Sequence, residues 1–221
     1  MEIIDFHTHT FFSDGILSPA ELVYSCKRNG CVAVALTDHA DYSNLNTLLD
    51  AMKSAAPHLE KHYGLKVIPG VELTYIPPED IGRMVSRARN MGAEVVLVHG
   101  ETPAENVPPG TNSAALRAGC DILAHPGRLT DEEAETAVEM GVLLEITTRR
   151  GHREGNRGVL EKAEKAGARV ILNTDSHGPE DLLDRDKIKD VLKRCGKTPE
   201  YYSVLRENAF CALEKIRGER K

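Results

Sequence analysis

Short apolar runs recur along the chain, and each is separated from the next by a segment with the spacing of an amphipathic helix. Residues 2–6 read as a buried strand. A capping-box helix start follows at Ser18-Pro19-Ala20-Glu21, with serine at the N-cap, proline in the first helical position and glutamate three residues after the serine. That helix extends to about Gly30. Residues 31–36 form an almost continuous apolar run, the pattern of a parallel strand covered on both faces. Leu45, Leu48, Leu49, Met52 and Leu59 mark the next helix, which closes near Gly64. The third strand is expected over residues 65–71, interrupted at Pro69-Gly70, and a helix over about 78–91 leads to a fourth at 94–99. A short helix near 112–118, a fifth strand from 121, a helix from Asp131 and a sixth strand at 142–146 continue the alternation. A helix at 158–166 and a seventh strand at 169–173 complete it. Two helices, about 179–195 and 199–216, finish the chain, and the Lys/Arg-rich tail 217–221 is expected to fray.

Seven apolar strands alternating with helices predict a single α/β domain over residues 1–221. Closing the strands into a parallel (β/α)7 barrel, TIM-barrel-like, hides both faces and both edges. A hydrophobic content of 41% and a charged content of 28% suit a globular chain, and no apolar run approaches membrane-spanning length. The opening residues enter structure directly rather than a basic, apolar leader, so the expected location is the cytoplasm, with no membrane partner. Five cysteines, odd in number and without a CxxC pair, argue against a disulfide framework or a thiolate zinc site. A net charge of −6 argues against avid nucleic-acid binding, although a cluster of divalent cations would add positive charge that a sequence count omits.

In such barrels functional groups gather at the C-terminal strand ends. Six of the seven predicted strand ends carry His, Asp or Glu, and the candidates are His7, His9, Asp14, His39, Glu72, His99, His125, Asp175 and His177. On an extended backbone His7 and His9 face the same side, and the Ser13-Asp14-Gly15 turn returns a carboxylate toward them. Taken alone, that segment fits equally a capping histidine beside a surface one. The wider set decides the matter, because six of the nine histidines fall at strand ends and only His58, His62 and His152 lie on helices or a loop. His58 and His62, four apart on a helix, read as solvated surface. Imidazole and carboxylate without thiolate suit Zn, Mn or Fe, and nine donors suit two or three divalent ions rather than one. Glu72, the only glutamate in the set, is the natural bridge. Two such cations about 3.5–4 Å apart acidify a bridging water and clamp the oxygens of a phosphoester, so hydrolysis is the favoured chemistry.

The ordered motifs DFHTHT, SDG, TDH, GVE, VHG, AHPG and TDSH, between residues 5 and 177, resemble the polymerase and histidinol phosphatase (PHP) family of metal-dependent phosphoesterases. The resemblance implies a distorted seven-stranded barrel holding a trinuclear site. One metal would take His7, His9, Glu72 and Asp175, a second would share Glu72 with His99 and His125, and a third would take Asp14, His39 and His177. Glu72 and Asp175 would stand at the reacting centre. None of the nine positions departs from the family pattern, which argues against a degenerate, metal-free domain. Nothing in the chain resembles a nucleotidyltransferase.

The implied function is hydrolysis of a small phosphomonoester, histidinol phosphate being the family's namesake, by attack of a metal-bridging hydroxide. Two alternatives stay open: a nuclease or nucleotide phosphodiesterase acting on short nucleic acid, and a non-catalytic, metal-stabilised regulatory module. With no Trp and four Phe, the chain shows no evident stacking platform for bases. The sixth strand end carries no ligand and leads into residues 147–157, where four arginines face one glutamate. Arg149 and Arg150 are the first expected phosphate contacts and Arg128 the second, because guanidinium binds phosphate oxygens bidentately. Arg153 and Arg157 read equally well as a solvated basic loop. Glu101 would orient a metal-bound water or a substrate hydroxyl, or lie on the surface, and Asp38 would support a ligand from behind.

Overall fold

A computed structural model describes residues 2–218. The elements alternate as expected: β1 (Ile3–Asp5), α1 (Pro19–Arg28), β2 (Cys31–Leu36), β3 (His39–Ala40), α2 (Leu45–Tyr63), β4 (Lys66–Leu73), α3 (Pro78–Asn90) and β5 (Val95–His99). They continue through α4 (Thr111–Arg117), β6 (Ile122–Ala124), α5 (Asp131–Met140), β7 (Leu143–Thr147), α6 (Asn156–Ala166), β8 (Val170–Asn173), α7 (Arg185–Arg194) and α8 (Tyr202–Gly218). Every strand pair is parallel, in the order β1-β2-β4-β5-β6-β7-β8. The two-residue β3 also pairs with β4, so β2 and β3 share one neighbour and the sheet has seven staves. The seven-stranded barrel read from the repeat is therefore the fold.

Closure between β1 and β8 relies on few backbone bonds and several side chains. Thr8 and Ser176 form a single bridge, and His9 N–H donates to Ser176 O at 2.8 Å. Asn173 Oδ1 accepts from Phe6 N–H at 3.0 Å, while the buried Asp5 carboxylate accepts from Thr174 Oγ1 at 2.5 Å and from Thr174 N–H at 3.2 Å. The barrel interior is filled by Ile4, Phe6, Ala33, Ala35, Ile68, Val95, Leu97, Ile122 and Ile171, joined by Ala209, Leu213 and Ile216 of α8. A second cluster lies between the strands and the surrounding helices, where burying each Leu or Ile contributes about 1.5–3 kcal/mol.

The Ser18 capping box forms with both reciprocal hydrogen bonds. Three local expectations change. Pro69-Gly70 does not interrupt the third strand: β4 runs unbroken from Lys66 to Leu73, Pro69 O accepts from Glu94 N–H, and a Cβ on Gly70 would stand 2.5 Å from Val95 Cγ1. Glycine there permits the close approach of β5. The helix expected over 179–195 divides into a 3₁₀ turn at Pro179–Asp181 and α7. Between them Leu182 and Leu183 turn into the core, and the Asp184 carboxylate caps α7 by accepting from the N–H groups of Asp186 and Lys187. The last helix begins with a 3₁₀ turn at Pro199–Tyr201 and continues to Gly218, past the expected start of fraying, while residues 219–221 lie outside the described residues. Among the described residues no helix is long and apolar enough to cross a membrane.

Candidate metal centre

The C-terminal strand ends bring all nine candidate donors into one pocket. Glu72, fully buried at the end of β4, is its hub: Oε2 lies 2.8 Å from His39 Nδ1, 3.3 Å from His7 Nε2 and 3.6 Å from His9 Nε2, while Oε1 lies 3.5 Å from His125 Nε2. Asp175 is the second hub. Its Oδ1 is 3.1 Å from His9 Nε2, 3.6 Å from His7 Nε2 and 3.5 Å from His177 Nδ1, and its Oδ2 is 3.7 Å from His125 Nε2. Toward the mouth, Asp14 Oδ2 sits 3.1 Å from His177 Nε2 and 3.7 Å from His39 Nε2. His99 packs edge-on against His125 with ring centroids 4.5 Å apart.

Among the described residues, five groups emerge in which the donor atoms all lie within 4.8 Å of one another: His7, His9 and Asp175; Glu72, His99 and His125; His9, Asp14, His39 and His177; His7, His125 and Glu145; and His125, His152 and Asp175. Donors bound about 2.1 Å from one tetrahedral ion stand about 3.4 Å apart, so these separations suit cations. Unsatisfied atoms point the same way. His7 Nε2, His9 Nε2, His125 Nδ1 and both Glu72 carboxylate oxygens are buried without a hydrogen bond of good geometry. Leaving such atoms unpaired is costly, and they cluster where cations would pair most of them.

The charge pattern agrees. Burial resists ionisation of Glu72, but the charges of His7 and His39 outweigh it and hold the carboxyl well below its usual range. Burial likewise resists protonation of His39, yet Glu72, followed by Asp14, lifts it to about 9. His7 is raised well above the ordinary histidine value against burial, by Glu145, Glu72 and Asp175. Burial and neighbouring imidazoles keep His9 and His125 well below it. Protons on His7 and His39 thus balance the carboxylates where cations otherwise would.

The backbone is bent to make this arrangement. His125 (φ 27°) and Asp175 (φ 53°) adopt the left-handed region, as does Tyr75 (φ 57°) at the rim, conformations that cost energy in a non-glycine residue. The Asp14 turn is held by Asp38, whose carboxylate accepts from Thr10 N–H (2.7 Å) and Ser13 Oγ (2.8 Å). A Cβ on Gly15 would stand 2.5 Å from His9 O, so glycine lets that turn fold back over β1.

The expected substrate residues lie around the mouth in unequal states. Arg149 is half-buried and donates from Nη1 to Asp181 Oδ2 at 3.1 Å, and the same oxygen accepts from His177 N–H at 2.9 Å. Arg150 is exposed and shares a groove with Arg149, Arg153, Lys187, Asp181 and Asp190. Arg128 is exposed beside Gly127, and Arg157 pairs on the surface with Glu161. Glu101 turns away toward α4, where its Oε1 accepts from Gly110 N–H and Asn112 N–H.

Three residues at the centre carry no clear sign in the sequence. Glu145, at the strand end expected to lack a ligand, is fully buried, with Oε2 2.9 Å from His7 Nδ1 and 2.7 Å from Asn173 Nδ2, and Oε1 accepting from His125 N–H at 3.2 Å. The single charged residue within the apolar run Leu143–Thr147 was the available signal. His152, expected to lie outside the site, is buried against His125, with ring centroids 4.3 Å apart. Glu105 approaches His99 Nε2 to 3.5 Å and accepts from Tyr75 Oη at 3.1 Å. His58 and His62 are exposed on α2, and four of the five cysteines are buried as free thiols.

The class this chain falls into is that of parallel β/α barrels with a buried histidine–carboxylate cluster at the C-terminal face. Within it, the chain matches the PHP domain over residues 5–194 and belongs to that family. It is 46% identical to an uncharacterised protein of Methanocaldococcus jannaschii, with 88% of this chain and 90% of that one covered. It is 26% identical to a probable phosphatase of Acetivibrio thermocellus over 99% of each chain. Among solved structures, it resembles a chain of archaeal ribonuclease P with mature tRNA (TM-score 0.72, 17% identity, 96% of this chain and 90% of that one). It also resembles histidinol phosphate phosphatase from Lactococcus lactis in complex with zinc, L-histidinol and phosphate (TM-score 0.61, 17% identity, 88% and 94% covered).

Proposed function

We propose that the protein is a metal-dependent phosphoesterase that hydrolyses a small phosphomonoester, with histidinol phosphate as the first substrate to test. The observation that carries this reading is the clustering of the nine donors, with four histidines on the carboxylate of Glu72 and His177 on those of Asp175 and Asp14. Divalent cations in such a centre, two or three Zn, Mn or Fe ions, supply Lewis acidity toward a phosphoryl oxygen and an acidified water. His7, His9, Glu72 and Asp175 would hold one ion, Glu72, His99 and His125 a second, and Asp14, His39 and His177 a third.

The chain's own residues do the rest. Glu145 fixes the ring of His7 through Nδ1, and Thr74 does the same for His39 at 2.7 Å. Arg149 keeps part of its guanidinium fork free of Asp181 and can meet a phosphate oxygen at the mouth, with Arg150 and Arg128 as further cations on the rim. Water adds to phosphorus, the P–O bond to the alcohol breaks, and the products are the alcohol and inorganic phosphate. The phosphatase named in the Acetivibrio relative and the histidinol and phosphate bound by the Lactococcus enzyme support this reading.

A second reading rests on Phe11 and Phe12. These rings stack 5.0 Å apart beside Asp14 and are 57% and 37% exposed, so the chain does present an aromatic surface next to the centre. Stacking of a base there would favour a nucleotide or a short oligonucleotide and phosphodiester cleavage. The test is metal analysis of the purified protein together with initial rates on histidinol phosphate and on a nucleotide phosphodiester, with Mn or Zn added. Two or three metals with monoester turnover support the phosphatase. Cleavage of the diester alone moves the protein to the nuclease reading, and bound metal with neither activity makes it a metal-stabilised module.

A further inference from the structure

His152 remains after the nine donors have been assigned. It is a buried seventh imidazole in the pocket, stacked on His125 at 26° and meeting His99 edge-on with centroids 5.9 Å apart. Its segment is held rigidly. Gly151 adopts φ 87° and a Cβ there would stand 2.9 Å from Ala104 Cβ, while a Cβ on Gly155 would stand 2.8 Å from Gly127 Cα. The loops after β5, β6 and β7 therefore interlock and fix the ring.

Its Nδ1 contact admits a tautomer with the ring proton on Nε2. His152 Nδ1 lies 3.0 Å from Thr102 Oγ1, and that buried hydroxyl already accepts from Ala104 N–H at 3.4 Å. In the tautomer in which Thr102 Oγ1 donates, Nδ1 accepts. The ring proton then sits on Nε2. That N–H faces Asp175 Oδ2 at 3.9 Å, too far for a hydrogen bond. In that tautomer Nε2 is a donor facing the cluster, and because its nitrogen also lies within 4.8 Å of donor atoms of His125 and Asp175, metal content has to be read beside anion binding.

We propose that His152 Nε2 donates a hydrogen bond to a phosphoryl oxygen of the substrate and of the phosphate product, from the β7 side of the pocket. The proposal rests on the phosphoesterase reading and adds a catalytic residue to it. A donor of this kind, fixed by Thr102 and by the interlocked loops, orients the phosphoryl group without occupying a cation site.

The experiment is calorimetric titration of inorganic phosphate into the Mn- or Zn-loaded protein, with metal content measured on the same samples, for wild type, His152→Phe, His152→Gln and Thr102→Val. Phenylalanine keeps the stacking and removes the donor, and glutamine returns an N–H at a similar reach. Loss of one hydrogen bond to a charged group predicts phosphate binding weakened about 10- to 100-fold in His152→Phe at unchanged metal content. His152→Gln should recover most of the affinity, and Thr102→Val, which removes the hydroxyl bonded to Nδ1, should show a smaller loss. A missing metal ion in His152→Phe would overturn the proposal by making His152 a ligand, and unchanged phosphate affinity would make it structural. Should His152→Phe not fold, unchanged affinity in Thr102→Val decides against the proposal. A fully metallated wild type that binds no phosphate defeats the phosphoesterase reading as well, whereas phosphate binding equal in wild type and variants defeats only the role of His152.

Discussion

Glu145 offers a severe test of the centre, because it touches His7 and His125 without being one of the nine donors. Glu145→Gln preserves shape and removes charge. Oriented with its oxygen at the Oε2 position, glutamine still accepts from His7 and Asn173, but its NH₂ then opposes the His125 N–H that now donates to Oε1 at 3.2 Å. Flipped, the NH₂ opposes Asn173 Nδ2 and forces the His7 proton onto Nε2, the nitrogen that faces Glu72 and would have to carry the metal. Either orientation forfeits a charge-assisted bond, a loss of about 1.5–3 kcal/mol. Disturbing the group that orients a metal-bound histidine costs about 10- to 100-fold in metal affinity or activity, about 1.4–2.8 kcal/mol, so the two routes agree. The assay is competition for Mn or Zn against a calibrated chelator, with thermal melting of the metal-free protein as a control for folding. Metal affinity within twofold of wild type in a folded Glu145→Gln protein would refute the orienting role.

Replacing His9 or Glu72 with alanine should leave a folded protein that has lost most metal-dependent turnover, and wild-type rates in either variant would sink the ligand assignment. In the metal-free protein Glu72, working against burial, lifts His39 to about 9, so at pH 7.5 a cation must displace its proton. Metal titrations in buffers of different ionisation enthalpy should show proton release and binding that tightens as pH rises toward about 9; no release would contradict this. Burial, offset in part by Thr174, raises Asp5 to about 6 from 3.8, so its contribution to stability is complete below the unfolded value and is lost as pH climbs through the folded one. Compared with Asp5→Asn, the wild type should lose about 2.4 kcal/mol between pH 4 and pH 7 in chemical denaturation, and parallel pH profiles would count against the buried carboxyl. Gly15→Ala should destabilise by about 1–3 kcal/mol and lower the metal stoichiometry, since the added Cβ forces the Asp14 turn off His9 O; full metal content would show that the turn is free to shift.

Much of this molecule can be read locally. The boundaries of β2 coincide with the apolar run over residues 31–36, and the Ser18 cap forms as its spacing requires. Eight of the nine candidates were legible because they follow or close apolar runs, and in a parallel barrel all such ends meet on one face; Asp14 was read from its turn instead. Local reading failed where burial at a distance outweighed local pattern. Leu182 and Leu183 break a predicted helix because the core takes them in, and Gly70 continues a strand because β5 packs against its bare backbone.

The sequence by itself determined the alternation of strands and helices, and with it the barrel and the histidine–carboxylate set, since periodicity and strand-end position are properties of short segments. Only the tertiary structure decided which residues surround that set. Glu145 reaches His7 across 138 positions, Thr102 meets His152 across 50, and Arg149 is drawn to Asp181 across 32. It also decided that Phe11 and Phe12 stand exposed beside Asp14 and that His152 lies inside the pocket. These contacts join loops that follow different strands. Spacing within a segment fixes which way a side chain leaves its own backbone, but the partner it meets depends on how the closed barrel brings separate loops together.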